Sequence, residues 1–179
     1  MRLLFFVGFD IMVFNKYHKI LSAGLCAKKR SENMPKIAVK KLNENALLPT
    51  YGSAYAAGAD LYALPGEDIE ILPHETKLIH TGLAMEIPEG YAGLIYARSG
   101  LASKKGLAPA NKVGVVDADY RGEVMVALHN HSNVPQTVSG GERVAQLVVA
   151  PFLKAEFEEE EELSSTVRGV GGFGSTGTK

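Results

Sequence analysis

The sequence predicts an all-β domain, of the sandwich, jelly-roll or barrel type, in a chain of 179 residues. From Pro35 onward, apolar and polar residues alternate in short runs, and glycine, proline, asparagine or aspartate separates most of them. This period of two is typical of half-buried strands, and no long stretch with the helical period competes with it. The length and a hydrophobic content of 46% suffice for one buried core.

Each strand is predicted from the same alternation. In chain order the runs are KIAVKKL, DIEILP, KLIHTGLAMEIP, YAGLIYAR, EVMVALHN, QTVS, ERVAQLVVAPF and KAEFEE. In EVMVALHN, Val124, Val126 and Leu128 occupy every second position, so one face of that strand is predicted to lie in the core. One short helical turn is predicted at SGLASKK, with Ser99 as its N-cap and Gly106 as its stop.

The two ends of the chain differ from this β region. Residues 1–33 carry six lysines and arginines against two acidic residues, and charges interrupt their apolar run, so they contain no membrane span of about 20 residues. They are interpreted as a disordered or artefactual extension, with organelle targeting as the less favoured alternative. Residues 34–157 are predicted to form the β domain. Five consecutive glutamates then open a polar, flexible arm over residues 158–179.

Charge and composition exclude several classes of function. A net charge of -1 and a pI near 6.5 give no electrostatic basis for stable binding to nucleic acid or to an anionic membrane. Cys26 is the single cysteine, which excludes an intramolecular disulfide and suits a reducing compartment such as the cytoplasm. The five histidines are scattered and are interpreted as surface or strand residues, which disfavours zinc and covalent cysteine chemistry.

The closing stretch RGVGGFGSTGTK contains near-matches to two phosphate-binding motifs. Gly169, Gly171 and Gly174 satisfy G-x-G-x-x-G, but that fingerprint works between a strand and a helix, and nothing helical follows here. GFGSTG has the glycine spacing of a P-loop, but the Thr-Lys pair after it reverses the required order. A glycine-rich flexible tail therefore stands as the alternative to a nucleotide-binding role.

Polar loops at strand ends are the candidate functional segments, because a rigid β scaffold usually carries its function there. AGADLYA places Asp60 at a glycine-marked turn, and ARSGLASKKG offers Arg98 and Ser99 at a helical start, where free N–H groups can bind phosphate oxygens. In ANKVGVVDADYRGEV, Asp117 and Asp119 are equal candidates for an acid or base.

A fourth candidate loop is GGERVAQLVV. Glu142 and Arg143 are interpreted as structural residues. Gln146 stands in an apolar run and needs a buried hydrogen-bond partner.

Taken in order, AGADLYA, ARSGLASKKG, GVVDADYRGEV, GERVAQL and RGVGGFGSTG resemble the five signature motifs of the trimeric deoxyuridine triphosphatases, the dUTPases. The resemblance runs from about Ile37 to Gly177. It implies a jelly-roll-like β barrel or sandwich assembled as a homotrimer, with three chains building each active site. The implied reaction is hydrolysis of dUTP to dUMP and pyrophosphate with Mg²⁺, which limits uracil incorporation into DNA and supplies dUMP for thymidylate synthesis.

The resemblance also implies a role for each matching residue. Asp117 would be the base that activates water for in-line attack on the α-phosphorus, Tyr120 would exclude a 2′-hydroxyl, and Asp60 would reach the metal through water. The residues implied to bind the phosphates are Arg98, Ser99, Gly100 and Gln146. Those implied to read uracil are Asn111, Gly114 and Val116. In the arm, the implied roles are Arg168 on the γ-phosphate, Phe173 stacked on uracil, and Gly174, Ser175 and Thr176 closing around the phosphates.

Two other functions are weighed against this one. A dCTP deaminase or bifunctional enzyme of the same fold is disfavoured by the intact GVVDADYRG and RGVGGFGSTG segments. A non-catalytic regulatory trimer is disfavoured by Asp117 and Phe173, which a scaffold does not need. The departures from the motifs are mild: Ala97 stands where the family commonly has proline and leaves Arg98 and Ser99 in place, and Ala118 fills the position between two aspartates.

Overall fold

The structure is a computed structural model that describes residues 34–172. The extension 1–33 and the predicted arm residues Phe173, Gly174, Ser175 and Thr176 lie outside the described residues. The described part contains eleven strands and one helix: β1 (Ala38–Lys41), β2 (Thr50–Tyr51), β3 (Ala59–Tyr62), β4 (Ile69–Ile71), β5 (Thr76–Glu86), β6 (Tyr91–Tyr96), α1 (Ser99–Lys105), β7 (Leu107–Pro109), β8 (Gly114–Val116), β9 (Glu123–Asn130), β10 (Gln136–Val138) and β11 (Arg143–Pro151).

The strands form two main sheets, and their pairings are antiparallel. One sheet has the order β1-β5-β9-β7 and the other has the order β2-β3-β11-β6-β8, while β10 pairs with β4. Neighbours in the sheets are often distant in sequence, as expected where a chain crosses repeatedly between two layers. This architecture confirms the predicted all-β, jelly-roll-like fold.

The core is built by buried residues of the long strands. In β9, Val124, Val126 and Leu128 are buried while the residues between them are half-buried, which confirms the predicted alternation. Ile79 and Leu83 of β5 are fully buried in the same core cluster. Burying a side chain of this size stabilises the fold by roughly 1.5–3 kcal/mol. The long central strands therefore give the loops at their ends a rigid support.

The helix starts one residue earlier than predicted. Ser99 is its first residue and Arg98 is the N-cap, because the Arg98 carbonyl already accepts from the Ala102 N–H (2.9 Å). Arginine carries no side-chain acceptor, and the cap accordingly has no side-chain hydrogen bond. Gly106 ends the helix as predicted, in the left-handed region with φ 67°. No helix among residues 34–172 is long and apolar enough to cross a membrane.

The structure corrects the prediction at two further places. KAEFEE forms no strand: its residues are exposed, and Phe157 is 94% exposed, because none of the described strands pairs with the segment. Asp60 was expected in a turn, but it lies in β3 between two neighbouring strands. Short strands such as β2, β3, β7 and β8 were not predicted separately, because two to four residues give too little alternation to detect.

A close contact between two glycines gives a stability prediction. A Cβ built on Gly140 would lie 2.6 Å from both the N and O atoms of Gly66, whereas a Cβ on Gly66 would meet nothing within 4 Å. We expect Gly140→Ala to lower the free energy of unfolding by about 1–3 kcal/mol, since the backbone must move apart. Gly66→Ala is the matched control, and urea denaturation measures both. Equal losses in the two variants would contradict this account.

Candidate active site

A cleft of about 290 Å³ opens beside β8 and the turn that follows it. Five of the residues predicted from the sequence line it together: Asn111, Gly114, Val116, Asp117 and Tyr120. The opposite wall comes from β5 and β9 through Leu78, Met125 and Ala127, which sequence reasoning did not assign to a site. A volume near 300 Å³ matches the lower end of small-molecule sites.

The loop before β8 directs Asn111 toward the cleft. The Lys112 N–H donates to the Pro109 carbonyl (3.1 Å), and Lys112 adopts the left-handed region with φ 66°. Gly114 lies directly under the Asn111 amide, since a Cβ there would lie 3.1 Å from Asn111 Nδ2. Glycine at this buried position therefore lets the amide approach the strand closely.

Hydrogen bonds fix the backbone of the turn after β8, and Asp117 in this turn is exposed. The Tyr120 N–H donates to the Asp117 carbonyl (3.2 Å). Arg121 Nη1 donates to the carbonyls of Ala118 (2.7 Å) and Tyr120 (3.0 Å). Of the two aspartates that the sequence left equal, Asp117 lines the cleft and Asp119 does not.

Tyr120 forms a wall of the cleft. Its hydroxyl donates to the main-chain carbonyl of Glu123 (3.0 Å), and the residue is 42% exposed. Gly122 lies against the ring, because a Cβ at that position would collide with the Tyr120 hydroxyl. The ring is thus held by the hydrogen bond of its hydroxyl to Glu123 and by its contact with Gly122.

Glu123, also in the cleft wall, was missed by sequence reasoning. Its carboxylate accepts from the Gly82 N–H (2.7 Å) and from His80 Nδ1 (2.8 Å). Burial raises the pKa of the Glu123 carboxyl, but the hydrogen bonds from His80 and Gly82 lower it by more, so the pKa lies below its ordinary value. No local signal marks this residue, because its partners lie about 40 positions earlier in the chain.

A second polar group surrounds Asp60 of β3, in the five-stranded sheet that also contains β8. Asp60 pairs with Gln146 of β11, and Gln146 pairs with Tyr96 of β6, so the three strands are in register here. The Asp60 side chain is 12% exposed, and its two oxygens accept from Arg98 Nε (2.7 Å) and Arg143 Nη1 (3.2 Å). Arg143, interpreted from the sequence as merely structural, therefore belongs to this group.

Gln146 has the partner that its apolar surroundings required. Its Nε2 donates to the Ala97 carbonyl (2.9 Å), just before the helix. Gly58 leaves room for this side chain, since a Cβ there would lie 2.7 Å from Gln146 Oε1. Ser99 and Gly100 are exposed at the helix start, whose first turn contains no acidic residue. Its first N–H groups have no partner within the helix and can bind an anion.

Asp117 and the Asp60 group lie apart within one chain. Val116 pairs with Gly93, and Arg98 follows Gly93 by five residues. Asp117 lies one position beyond Val116, so at the rise of a strand it is roughly 20 Å from Arg98 along β6. The structure brings the predicted residues together as two groups: Asp117 lies near the start of β6, and the Asp60 group lies near its end, where Gly114 pairs with Ile95.

The described part of the arm extends away from the sheets. Every residue from 151 to 170 is exposed. Arg168 Nε donates to the Gly171 carbonyl (2.8 Å), and the Gly169 N–H donates to the Thr166 carbonyl (3.1 Å), so these hydrogen bonds stay within the arm.

Comparison with known proteins identifies similar chains. The family model described as dUTPase matches residues 44–177. The deoxyuridine 5′-triphosphate nucleotidohydrolase of Nautilia profundicola is 54% identical over 142 residues, covering 79% of this chain and 99% of the relative. That of a Hydrogenobaculum species is 49% identical over 145 residues, covering 80% and 99%.

Solved structures give the same result. A mutant of the Staphylococcus bacteriophage 80alpha dUTPase with dUpNHpp superposes with a TM-score of 0.73 at 30% identity, covering 80% of this chain and 99% of that one. A mutant dUTPase from phage phi11 of S. aureus, described for the coordination of a structural Mg(II) ion, gives a TM-score of 0.66 at 28% identity and covers 73% and 100%.

Proposed function

This chain belongs to the dUTPase family and hydrolyses dUTP to dUMP, and we propose that Asp117 is the base of that reaction, in an active site shared by three chains. The observation that carries the proposal is the single cleft lined by Asn111, Gly114, Val116, Asp117 and Tyr120. One cleft thus offers an amide to bind a nucleobase, an aromatic ring to contact a sugar and a carboxylate to bind a water molecule.

Uracil enters the cleft between Asn111 and the backbone of β8. The amide of Asn111 and the backbone groups around Gly114 and Val116 supply donors and acceptors for the base edge. A hydrogen-bonding site of this kind rejects cytosine, whose donor and acceptor pattern is reversed, because buried polar groups are left unpaired. Tyr120 lies against the deoxyribose and leaves no space for a 2′-hydroxyl, since overpacking is costly.

Asp117 orients one water molecule and takes a proton from it as the water oxygen attacks the α-phosphorus. The bond from the α-phosphorus to the oxygen that bridges to the β-phosphorus breaks in line, and pyrophosphate leaves with the electron pair. An exposed carboxylate on a turn with a fixed backbone suits this role, since positioning contributes much of the rate enhancement.

The Asp60 group and the helix start bind the phosphates. Arg98 carries the charge, Ser99 and Gly100 present N–H groups, and Gln146 adds an amide. In the arm, Arg168 pairs with the γ-phosphate, while Phe173, Gly174, Ser175 and Thr176 close over the nucleotide.

The residues present fit Mg²⁺ held mainly by the substrate. Each Asp60 oxygen accepts one hydrogen bond from an arginine and keeps a lone pair for a water. Within residues 34–172, no three His, Cys, Asp or Glu side chains converge to hold an ion by themselves. Mg²⁺ usually keeps several waters and binds through substrate phosphates. When bound, it would neutralise part of the triphosphate charge.

Sharing of the site between chains follows from the separation of Asp117 and Arg98. Exposed apolar side chains offer surfaces for neighbouring copies, including Leu78 (58%) in the cleft wall and Leu153 (98%) before the arm. Residues 158–167 can span up to roughly 33 Å when extended, so the arm can reach another subunit. A homotrimer accounts for these features, and the single cysteine, Cys26, suits the reducing cytoplasm.

The test of the substrate is pyrophosphate release from dUTP, dTTP, dCTP and UTP, with and without Mg²⁺. We expect dUTP to be preferred in kcat/KM by about 10²-fold or more over each competitor. Ammonia release from dCTP would instead indicate a deaminase, and no turnover of any nucleotide would indicate a non-catalytic trimer. Equal turnover of all four nucleotides would contradict the assignment of the cleft.

A further inference from the structure

We propose that Glu123 is a positioning residue for sugar discrimination, because it fixes Tyr120 at the distance that excludes a 2′-hydroxyl. The inference rests on the role proposed above for Tyr120. It adds a residue that acts through Tyr120 and whose carboxylate makes its hydrogen bonds to β5.

The first link runs from the tyrosine ring to the backbone of Glu123. The Tyr120 hydroxyl donates to the Glu123 carbonyl at 3.0 Å, and the ring rests on Gly122. The position of the hydroxyl therefore follows the position of the first residue of β9. Any movement of that residue moves the ring relative to the cleft.

The second link runs from the Glu123 side chain to an irregularity in β5. Register between β5 and β9 shifts between His80 and Ala84, and Gly82 there has φ 69°. The Glu123 carboxylate accepts from the Gly82 N–H (2.7 Å) and from His80 Nδ1 (2.8 Å). Thr81 Oγ1 donates to the Val124 carbonyl (2.5 Å). Three side-chain hydrogen bonds thus join the bulge to the first two residues of β9.

The two links together make the carboxylate a determinant of the ring position. Regular pairing holds Glu123 only at Ala84, because the bulge interrupts the ladder between this pair and the next one, His80 with Met125. Hydrogen bonds to an ionised carboxylate are among the strong ones, so their loss frees the start of β9. Rejection of a single hydroxyl depends on the position of the ring to within about 1 Å, and misplacements of that size can change a rate about 10²-fold.

The experiment compares kcat/KM for dUTP and UTP in Glu123→Ala. We expect the dUTP preference to fall about tenfold, because the looser wall admits the ribose. Glu123→Gln should retain most of the preference, since its amide oxygen still accepts from Gly82 and its NH₂ group can donate to His80.

Glu75→Ala is the matched control. Glu75 accepts from the Leu72 N–H (2.8 Å) and lies 3.8 Å from Lys77 Nζ, so it has the same kind of contacts at the far end of β5. We expect this variant to lose stability and keep its preference for dUTP. An equal loss of preference in Glu75→Ala and Glu123→Ala would overturn the inference, because a general loosening would then explain both.

Tyr120→Phe tests the same link without touching the carboxylate, and it applies even where Glu123→Ala fails to fold. It keeps the ring and removes the hydrogen bond to Glu123, so the dUTP preference should fall in the same direction. An unchanged preference in Tyr120→Phe overturns the inference. Tyr120→Ala distinguishes the proposed role of Tyr120 from that of Glu123. If Tyr120→Ala loses the dUTP preference and Glu123→Ala keeps it, only the inference about Glu123 is refuted. If Tyr120→Ala keeps the full preference, the proposed role of Tyr120 is refuted.

Discussion

Replacing Asp117 by asparagine is expected to lower kcat for dUTP by about 10²–10⁴-fold, the usual contribution of a general base. Asparagine has nearly the same shape and can still orient a water, but it cannot take the proton at neutral pH. Binding of dUTP should change little, because the proposed contacts to base, sugar and phosphates remain. Single-turnover pyrophosphate release measures the chemical step, and calorimetry with dUTP measures binding.

Asp119→Asn is the matched control for Asp117→Asn. The two aspartates lie on one turn and are both exposed, but only Asp117 lines the cleft. We expect Asp119→Asn to keep nearly full activity. A larger loss of activity in Asp119→Asn than in Asp117→Asn would show that Asp119, and not Asp117, is the base.

Deletion of residues 168–179 is the second large effect that we expect, with kcat/KM falling about 10³-fold or more. One charge-assisted hydrogen bond contributes about 1.5–3 kcal/mol and one aromatic stack on a base about 1–3 kcal/mol. Arg168 and Phe173 together then account for the expected loss, since 1.4 kcal/mol corresponds to about tenfold. Removing only residues 178 and 179, which lie beyond the proposed contacts, should leave activity nearly unchanged.

The same deletion tests whether the site is shared. Light scattering should find the truncated protein still trimeric, since the arm is proposed to act on the nucleotide and not in assembly. Mixed trimers of the truncated chain and Asp117→Asn should recover activity, because one chain supplies the base and the other the arm. Monomers after truncation, or no recovery on mixing, would contradict the shared site.

The sequence predicted those parts of the fold in which burial produces a regular alternation of apolar and polar residues. EVMVALHN is β9, with the predicted residues inside, because one face meets the core along its whole length. KAEFEE shows a similar alternation but no strand, since alternation alone does not supply a neighbouring strand to pair with. Asp60 was placed in a turn because β3 has only four residues and follows a glycine.

The candidate site was predictable only as far as it is local in sequence. Asn111, Asp117 and Tyr120 lie within ten positions, and the fold places them in one cleft. The Glu123 carboxylate and the Arg143 side chain escaped, because each gains its role from partners about 40 and about 80 positions away. Such contacts form only when the sheets bring distant residues together, so no local sequence pattern predicts them.

The proposed role of the Asp60 group has a consequence for the binding of simple anions. Arg98 and Arg143 already have a counter-ion, so an inorganic phosphate ion arriving alone would compete with a mostly buried carboxylate for their charge. If Arg98 binds the phosphates and Asp60 reaches the metal through water, as proposed, a magnesium–triphosphate complex would supply an anion for the arginines and a hydrated cation for the carboxylate together. The ion cluster would then favour the complete nucleotide–metal complex over free phosphate.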